Sequence, residues 1–221
     1  MPSHAITLYG AGGHAREIAW LASACGIPVC CFIDDDPAKA GTSLNGIEVL
    51  SVNDAKSRYP SSEVIVAIGT PKIRERLVET IARLGFDFCT LIHPRVERSA
   101  WIRMGRGVAI CAGNVLTTNI MLGDHVQINT ACTIAHDVVI GAYSTLAPGV
   151  HVSGCVTIGR RVYLGTGSTI INGTPDRPLV IGDDAFIGAG ACVTKSVPCG
   201  TTVVGVPARP IVRSVSSEEL V

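Results

Sequence analysis

From Leu122 onward an aliphatic residue opens nine successive blocks of six: Leu122, Ile128, Ile134, Ile140, Leu146, Val152, Ile158, Leu164 and Ile170. The fifth place of each block is small (Val126, Cys132, Val138, Ser144, Val150, Val156, Val162, Ser168, Thr174), so two inward positions recur per block. At about 3.6 residues per turn, six residues would rotate a helical stripe by well over half a circle each time, which excludes one buried helical face. A flat-sided solenoid keeps the period. Each block is then a short strand plus a turn, three blocks close a triangular coil, and coils stacked at roughly 4.8 Å supply one another's backbone partners.

The same frame is read upstream through Val96, Ile102 and Val108, with a slip near Asn114, and downstream through Ile181, Ile187 and Val193. About five to six coils are expected. Residues 172–178 (Asn-Gly-Thr-Pro-Asp-Arg-Pro) are rich in turn formers and predict a loop leaving the solenoid.

Before the repeat, strand-like runs at 5–9, 29–33, 64–68 and 88–92 alternate with helix-like runs at 15–24, 52–58 and 71–84, the pattern of a small parallel sheet. The chain therefore divides into a Rossmann-like α/β domain (1–93) and a parallel β-helix (94–221). The first strand runs into Gly10-Ala11-Gly12-Gly13-His14-Ala15, which fits G-x-G-x-x-A at a strand-to-helix turn, where backbone N–H groups can cradle a phosphate. The bland reading of these glycines is a tight turn. Asp34, Asp35 and Asp36 end the second strand, where a carboxylate can reach a ribose or base edge; an Asx turn into Pro37 is the alternative, most of all for Asp36. Gly69-Thr70 ends the third strand at the same sheet edge and offers the pocket's second loop. Only half of a dinucleotide fold precedes Val96, which suits one nucleotide and argues against a dinucleotide dehydrogenase.

Composition narrows the function classes. Eighteen basic and eighteen acidic residues cancel and no cationic cluster stands out, which argues against nucleic acid or an anionic membrane as partner. A hydrophobic content of 47% and a mean hydropathy of +0.40 are ample for buried cores, yet no run is long enough to span a bilayer. The Met-Pro-Ser-His start lacks a leader pattern, so a cytoplasmic protein is expected. Nine scattered cysteines without a CxxC pair argue against disulfides and a zinc site, and no metal is expected.

Within the repeat, His136 occupies the third place of Ile134-Ala-His-Asp-Val-Val139, where no inward role is assigned, so its side chain is expected to project outward near a coil corner. Asp137 follows it and Asn129 lies one block earlier, both able to orient an imidazole. On spacing alone a solvated surface histidine is the competing reading. His125, His151 and His93 are read as surface or linker residues. Cys132 is read as core filling, and Cys155 is unassigned. Ile120 and Met121, read as apolar outward residues on a flat face, predict self-association.

The hexapeptide frame, Asn-Thr-x-x-x-Ile-Ala-His-Asp at 129–137, Leu-Tyr-Gly-Ala-Gly-Gly-His-Ala at 8–15 and Val-Gly-Val-Pro-Ala-Arg at 204–209 together resemble the bacterial nucleotide-sugar N-acetyltransferase and sialic acid O-acetyltransferase family. The resemblance runs from Ala5 to about Val212. It implies a left-handed β-helix, a homotrimer, and direct transfer of acetyl from acetyl-CoA to a sugar amine or hydroxyl in glycan biosynthesis. His136 is then the general base and Asn129 a site residue. Gly154, one coil beyond His136, would let the pantetheine arm approach, with Thr145, Thr166, Ala189 and Arg209 also on the cofactor's path. Some relatives have Glu where Ala135 stands, a second His where Thr145 stands and Asn where Thr70 stands, leaving Asp137 as the carboxylate beside the base. The preferred acceptor is a nucleotide-linked 4-amino-4,6-dideoxy sugar; O-acetylation of sialic acid or a related sugar is the alternative. A non-enzymatic scaffold is disfavoured by the outward His-Asp pair.

Overall fold

The computed structural model describes residues 5–211; the Met-Pro-Ser-His start and Val212 lie outside them. The first unit comprises β1 (Ile6–Tyr9), α1 (Gly13–Ala24), β2 (Val29–Ile33), β3 (Ser43–Leu44), β4 (Ile47–Leu50), α2 (Val52–Arg58), β5 (Glu63–Val66) and α3 (Pro71–Arg83). Strand order is β3-β4-β2-β1-β5, parallel except for β3. The chain leaves β1 toward β2 on one side and later returns to β5 on the other. The crevice therefore opens at the C-terminal ends of β1 and β5.

Two features differ from the sequence reading. Ser43–Leu44 and Ile47–Leu50 form a hairpin turned by Asn45-Gly46, both left-handed (φ 50° and 80°), as a type I′ turn requires. The expected fourth strand at 88–92 is split: Phe88 only bridges Val64, whereas Leu91–Ile92 pairs with Ala109–Ile110 and is the first rung of the solenoid.

The solenoid has three parallel faces. The first carries Glu97–Arg98, Val115–Leu116, Thr133–Ile134, His151–Val152, Thr169–Ile170 and Cys192–Val193; the second carries Ile102–Met104, Ile120–Leu122, Val139–Ile140, Val156–Ile158 and Leu179–Ile181. The third runs from Leu91–Ile92 through Ala109–Ile110, Gln127–Ile128, Thr145–Leu146, Tyr163–Leu164 and Phe186–Ile187 to Thr202–Val204, closed by antiparallel Arg209–Pro210. Paired residues are eighteen apart, as in Gln127↔Thr145, twenty-three apart across the 172–178 loop, as in Tyr163↔Phe186, and sixteen apart in the last coil, as in Phe186↔Thr202. The loop thus adds five residues at one corner without breaking a ladder.

The register does not slip at Asn114. Met104, Ile110 and Leu116 pair in frame with Leu122, Ile128 and Ile134, so Val96, Ile102 and Val108 belong to the fifth-place series instead. Asn114 fills a fifth place too. It is fully buried, donates to the Cys111 and Asn129 carbonyls and accepts from Cys132 N–H, replacing packing with a satisfied polar plug. First and fifth places form the core, each buried Leu, Ile or Val contributing about 1.5–3 kcal/mol. Fourth places turn the corners in the left-handed region, including Asn119, His125, Ala131, Asp137, Tyr143, Cys155 and Arg161. Ile120 is buried, contrary to its outward reading. Met121 (51% exposed), Trp101 and Val139 remain exposed on the second face.

Candidate active site

At the crevice, Gly10 has φ +113° and passes so close to the loop after β5 that a Cβ would stand 3.1 Å from the Ala67 carbonyl oxygen. The Asp34 carboxylate accepts from the N–H groups of Ala11 and Asp36 and from Lys39, each at 3.0 Å. Burial raises its pKa, but those three donors outweigh it and hold the carboxyl below the usual range. Asp34 therefore braces the glycine turn, and Asp34 and Asp36 both make Asx turns. Asp35 is exposed and accepts from the Tyr9 hydroxyl, whose pKa burial and Asp35 push up, keeping it a donor. Gly12, Gly13 and Thr70 are exposed at the crevice rim.

Two residues read as ligand-binding face the solenoid. His14 Nε2 lies 3.0 Å from Gln127 Oε1, and the Gly69 carbonyl accepts from Thr145 Oγ1 at 2.8 Å. Thr145 is buried in that contact, which removes it from the cofactor path assigned above. Sequence reading missed Arg74 and Gln127 of this seam. Arg74 sits on the buried stripe of α3 with Pro71, Val78 and Ile81, and a cation at an apolar-stripe position was the available signal. His125 and His93 are also buried here rather than on the surface.

The catalytic candidate stands at the corner between the first and second faces. His136 is exposed (58% of its side chain), and its Nδ1 lies 2.8 Å from Asp137 Oδ2. Asp137 is a left-handed corner residue, and Asn119, the corner residue one coil earlier, donates to its other oxygen at 3.1 Å. Hydrogen bonds from His136 and Asn119 hold the Asp137 carboxyl below the ordinary range. An acceptor at Nδ1 fixes the proton there and leaves the Nε2 lone pair as base. That ring lies across Gly154: a Cβ there would stand 2.5 Å from Nε2 and Cε1. Gly154 is thus required by the imidazole itself. His136, Asp137 and Cys155 each bring one donor atom within 4.8 Å of the others, an N, O and S set a soft cation could share. The dyad's hydrogen bond already commits the imidazole Nδ1 and the carboxylate.

Asn129 is not beside His136. One block carries the chain to the next edge of the triangle, and only eighteen residues stack. Asn129 lines a recess of about 180 Å³ with Glu17 and Trp20 at the edge between the third and first faces. Thr166 and Ala189 are exposed on that same edge, between Tyr163–Leu164 and Thr169–Ile170 and between Phe186–Ile187 and Cys192–Val193. Arg209 lies with Lys195 in a groove at the far end of the solenoid. The expected site residues therefore occupy two edges of one chain.

Residues 5–81 match the PglD N-terminal domain, and residues 119–154 and 137–172 match the bacterial transferase hexapeptide repeat. GDP-perosamine N-acetyltransferase from Escherichia coli O157:H7 is 39% identical over 216 residues, 95% of this chain and 97% of that protein. WeeI from Acinetobacter baumannii AYE superposes with a TM-score of 0.88 at 38% identity, covering 95% of this chain and 100% of that one. PerB from Caulobacter crescentus, solved with CoA and GDP-perosamine, gives 0.86 at 31% identity, covering 95% and 98%. With a PglD-type domain ahead of a left-handed hexapeptide β-helix, and full-length relatives at this identity, the chain belongs to the acetyl-CoA-dependent nucleotide-sugar N-acetyltransferases.

Proposed function

We propose that the protein acetylates the 4-amino group of a GDP-linked 4-amino-4,6-dideoxy sugar of the perosamine type, as a homotrimer in the cytoplasm. The observation that carries the chemistry is the His136–Asp137 dyad with its free Nε2 facing solvent over Gly154. The acceptor nitrogen attacks the thioester carbonyl carbon, His136 Nε2 takes the proton that nitrogen loses, and a backbone N–H steadies the oxyanion. The C–S bond then breaks, and the proton passes to the departing CoA sulfur. The glycine turn at 10–13 receives the diphosphate, with Asp35 and the Gly69-Thr70 loop at the nucleoside side.

The trimer reading rests on the division of the site. His136 and Gly154 lie on one edge; Asn129, Thr166 and Ala189 lie on another; packing copies edge to edge would bring the two sets together around CoA, whose phosphates would reach Arg209. The exposed Trp101, Met121 and Val139 offer an apolar face for such packing. Among the described residues no helix is long and apolar enough to cross a membrane. Following CoA release with acetyl-CoA and GDP-, UDP- and dTDP-linked amino sugars, beside free sialic acid, tests the reading. Turnover of the GDP-linked amine is expected, and turnover confined to the free sugar would overturn it.

A further inference from the structure

The seam between the two units is built around a buried cation that has no anion. Arg74 is 1% exposed, and among the described residues it forms no ion pair. Nε donates to the His125 carbonyl at 3.0 Å. Nη1 donates to the Ile68 carbonyl at 2.6 Å and to Gln127 Oε1 at 3.1 Å, and Nη2 to the carbonyls of Tyr143 and Ser144. Burial lowers its pKa to about 9. Gln127 in turn donates to the Val66 carbonyl at 2.7 Å and meets His14, while Thr145 donates to the Gly69 carbonyl. A seam that only had to adhere would be served as well by apolar side chains, because desolvating a cation is costly. What this set supplies is register. Its acceptors come from two successive coils, and its targets converge on residues 66–69, the loop that packs against Gly10.

We propose that Arg74, Gln127 and Thr145 are positioning residues for the nucleotide, locking the 66–69 loop to the solenoid and thereby fixing the acceptor pocket relative to the catalytic corner. This rests on the nucleotide reading of that pocket given above. The solenoid face that carries Gln127 and Thr145 serves the acceptor, and cofactor binding is independent of them.

Calorimetric titration of GDP and, separately, CoA into the wild type and three variants tests this, with melting temperatures recorded alongside. Thr145→Val keeps the shape and removes one donor; Thr145→Ser keeps the donor; Arg74→Lys keeps the charge and loses the fork. Thr145→Val is expected to weaken GDP binding about tenfold, the usual worth of one hydrogen bond held in place, with CoA binding within about twofold of wild type. Thr145→Ser should restore GDP binding, and Arg74→Lys should weaken it more than Thr145→Val. Weaker CoA binding in Thr145→Val would return that residue to the cofactor site and overturn the proposal. Unchanged GDP binding with lower melting temperatures would reduce the set to mortar. A wild type that binds CoA but no GDP would remove the nucleotide reading itself, and the proposal with it.

Discussion

His125 and His136 solve the same geometric problem in opposite surroundings. Each imidazole lies across a glycine one coil away, Gly107 for His125 and Gly154 for His136, and in each case a Cβ on that glycine would collide with the ring. His125 is buried between Phe88 (4.7 Å between centroids) and Tyr143 (5.3 Å, stacked), its Nε2 has no partner, and burial drives its pKa down to about 4. His136 is in water with a carboxylate on Nδ1. The position in the repeat makes neither of them catalytic. What separates the proposed base from His125 is solvent access and an oriented proton.

The comparison breaks most sharply at His136. His136→Ala should lower kcat by roughly 10²–10⁴-fold while CoA binding persists, since a positioned general base is worth about that much. His125→Phe should leave kcat within a few-fold of wild type; a loss matching that of His136→Ala would erase the distinction.

Acid should act through His125 instead. Its folded value of about 4 lies below the unfolded value of about 6.5, so the unfolded chain takes the proton first. Stability from this group is full above pH about 6.5 and falls as pH drops toward 4, by about 2 kcal/mol at pH 5. Urea unfolding at pH 7.5 and pH 5 should show a loss that shrinks by that amount in His125→Phe. Equal losses in the two proteins would mean that the histidine is not buried neutral.

Smaller effects sharpen the contrast. Asp35→Ala should raise KM for the nucleotide-linked acceptor about tenfold and leave KM for acetyl-CoA nearly unchanged, since one hydrogen bond to a charged group is lost. Asn119→Ala should lower kcat only a few-fold, because Asp137 retains its bond to His136. No change would show that Asp137 needs no outside support.

What could be read in the sequence was whatever depends on period and adjacency. The inward places, the loop at 172–178 and the His136–Asp137 neighbours follow from local spacing. So did the glycine turn at the end of β1. The Asn45-Gly46 hairpin is legible too, since Asn-Gly is a type I′ signal, although its strands are only two and four residues long. Asn119 is legible as the residue one full coil, eighteen positions, before Asp137, whereas Asn129, a single block before the dyad, lies on another edge. Arg74 is marked by its place on the apolar stripe of α3, but its partners are not legible in that way. Its acceptors on the solenoid lie fifty to seventy residues away, as the carbonyls of His125 and Ser144 do, and no local pattern encodes which outward-facing threonine or glutamine another unit will cover. Gly154 stands out in the sequence for the cofactor's sake, whereas the contact in the structure that forbids a side chain there is with His136.

Leu91–Ile92 carries a thermodynamic consequence. Because this rung follows the Phe88–Val64 bridge directly, the first unit runs into the solenoid ladder with no free tether between them. Unfolding either unit strips the other of hydrogen bonds and of the Arg74 seam, so heat should meet one cooperative block: a single calorimetric transition whose van't Hoff and calorimetric enthalpies agree. The same coupling argues against a swinging arm. Acceptor and acetyl donor must meet on a frame that is already set.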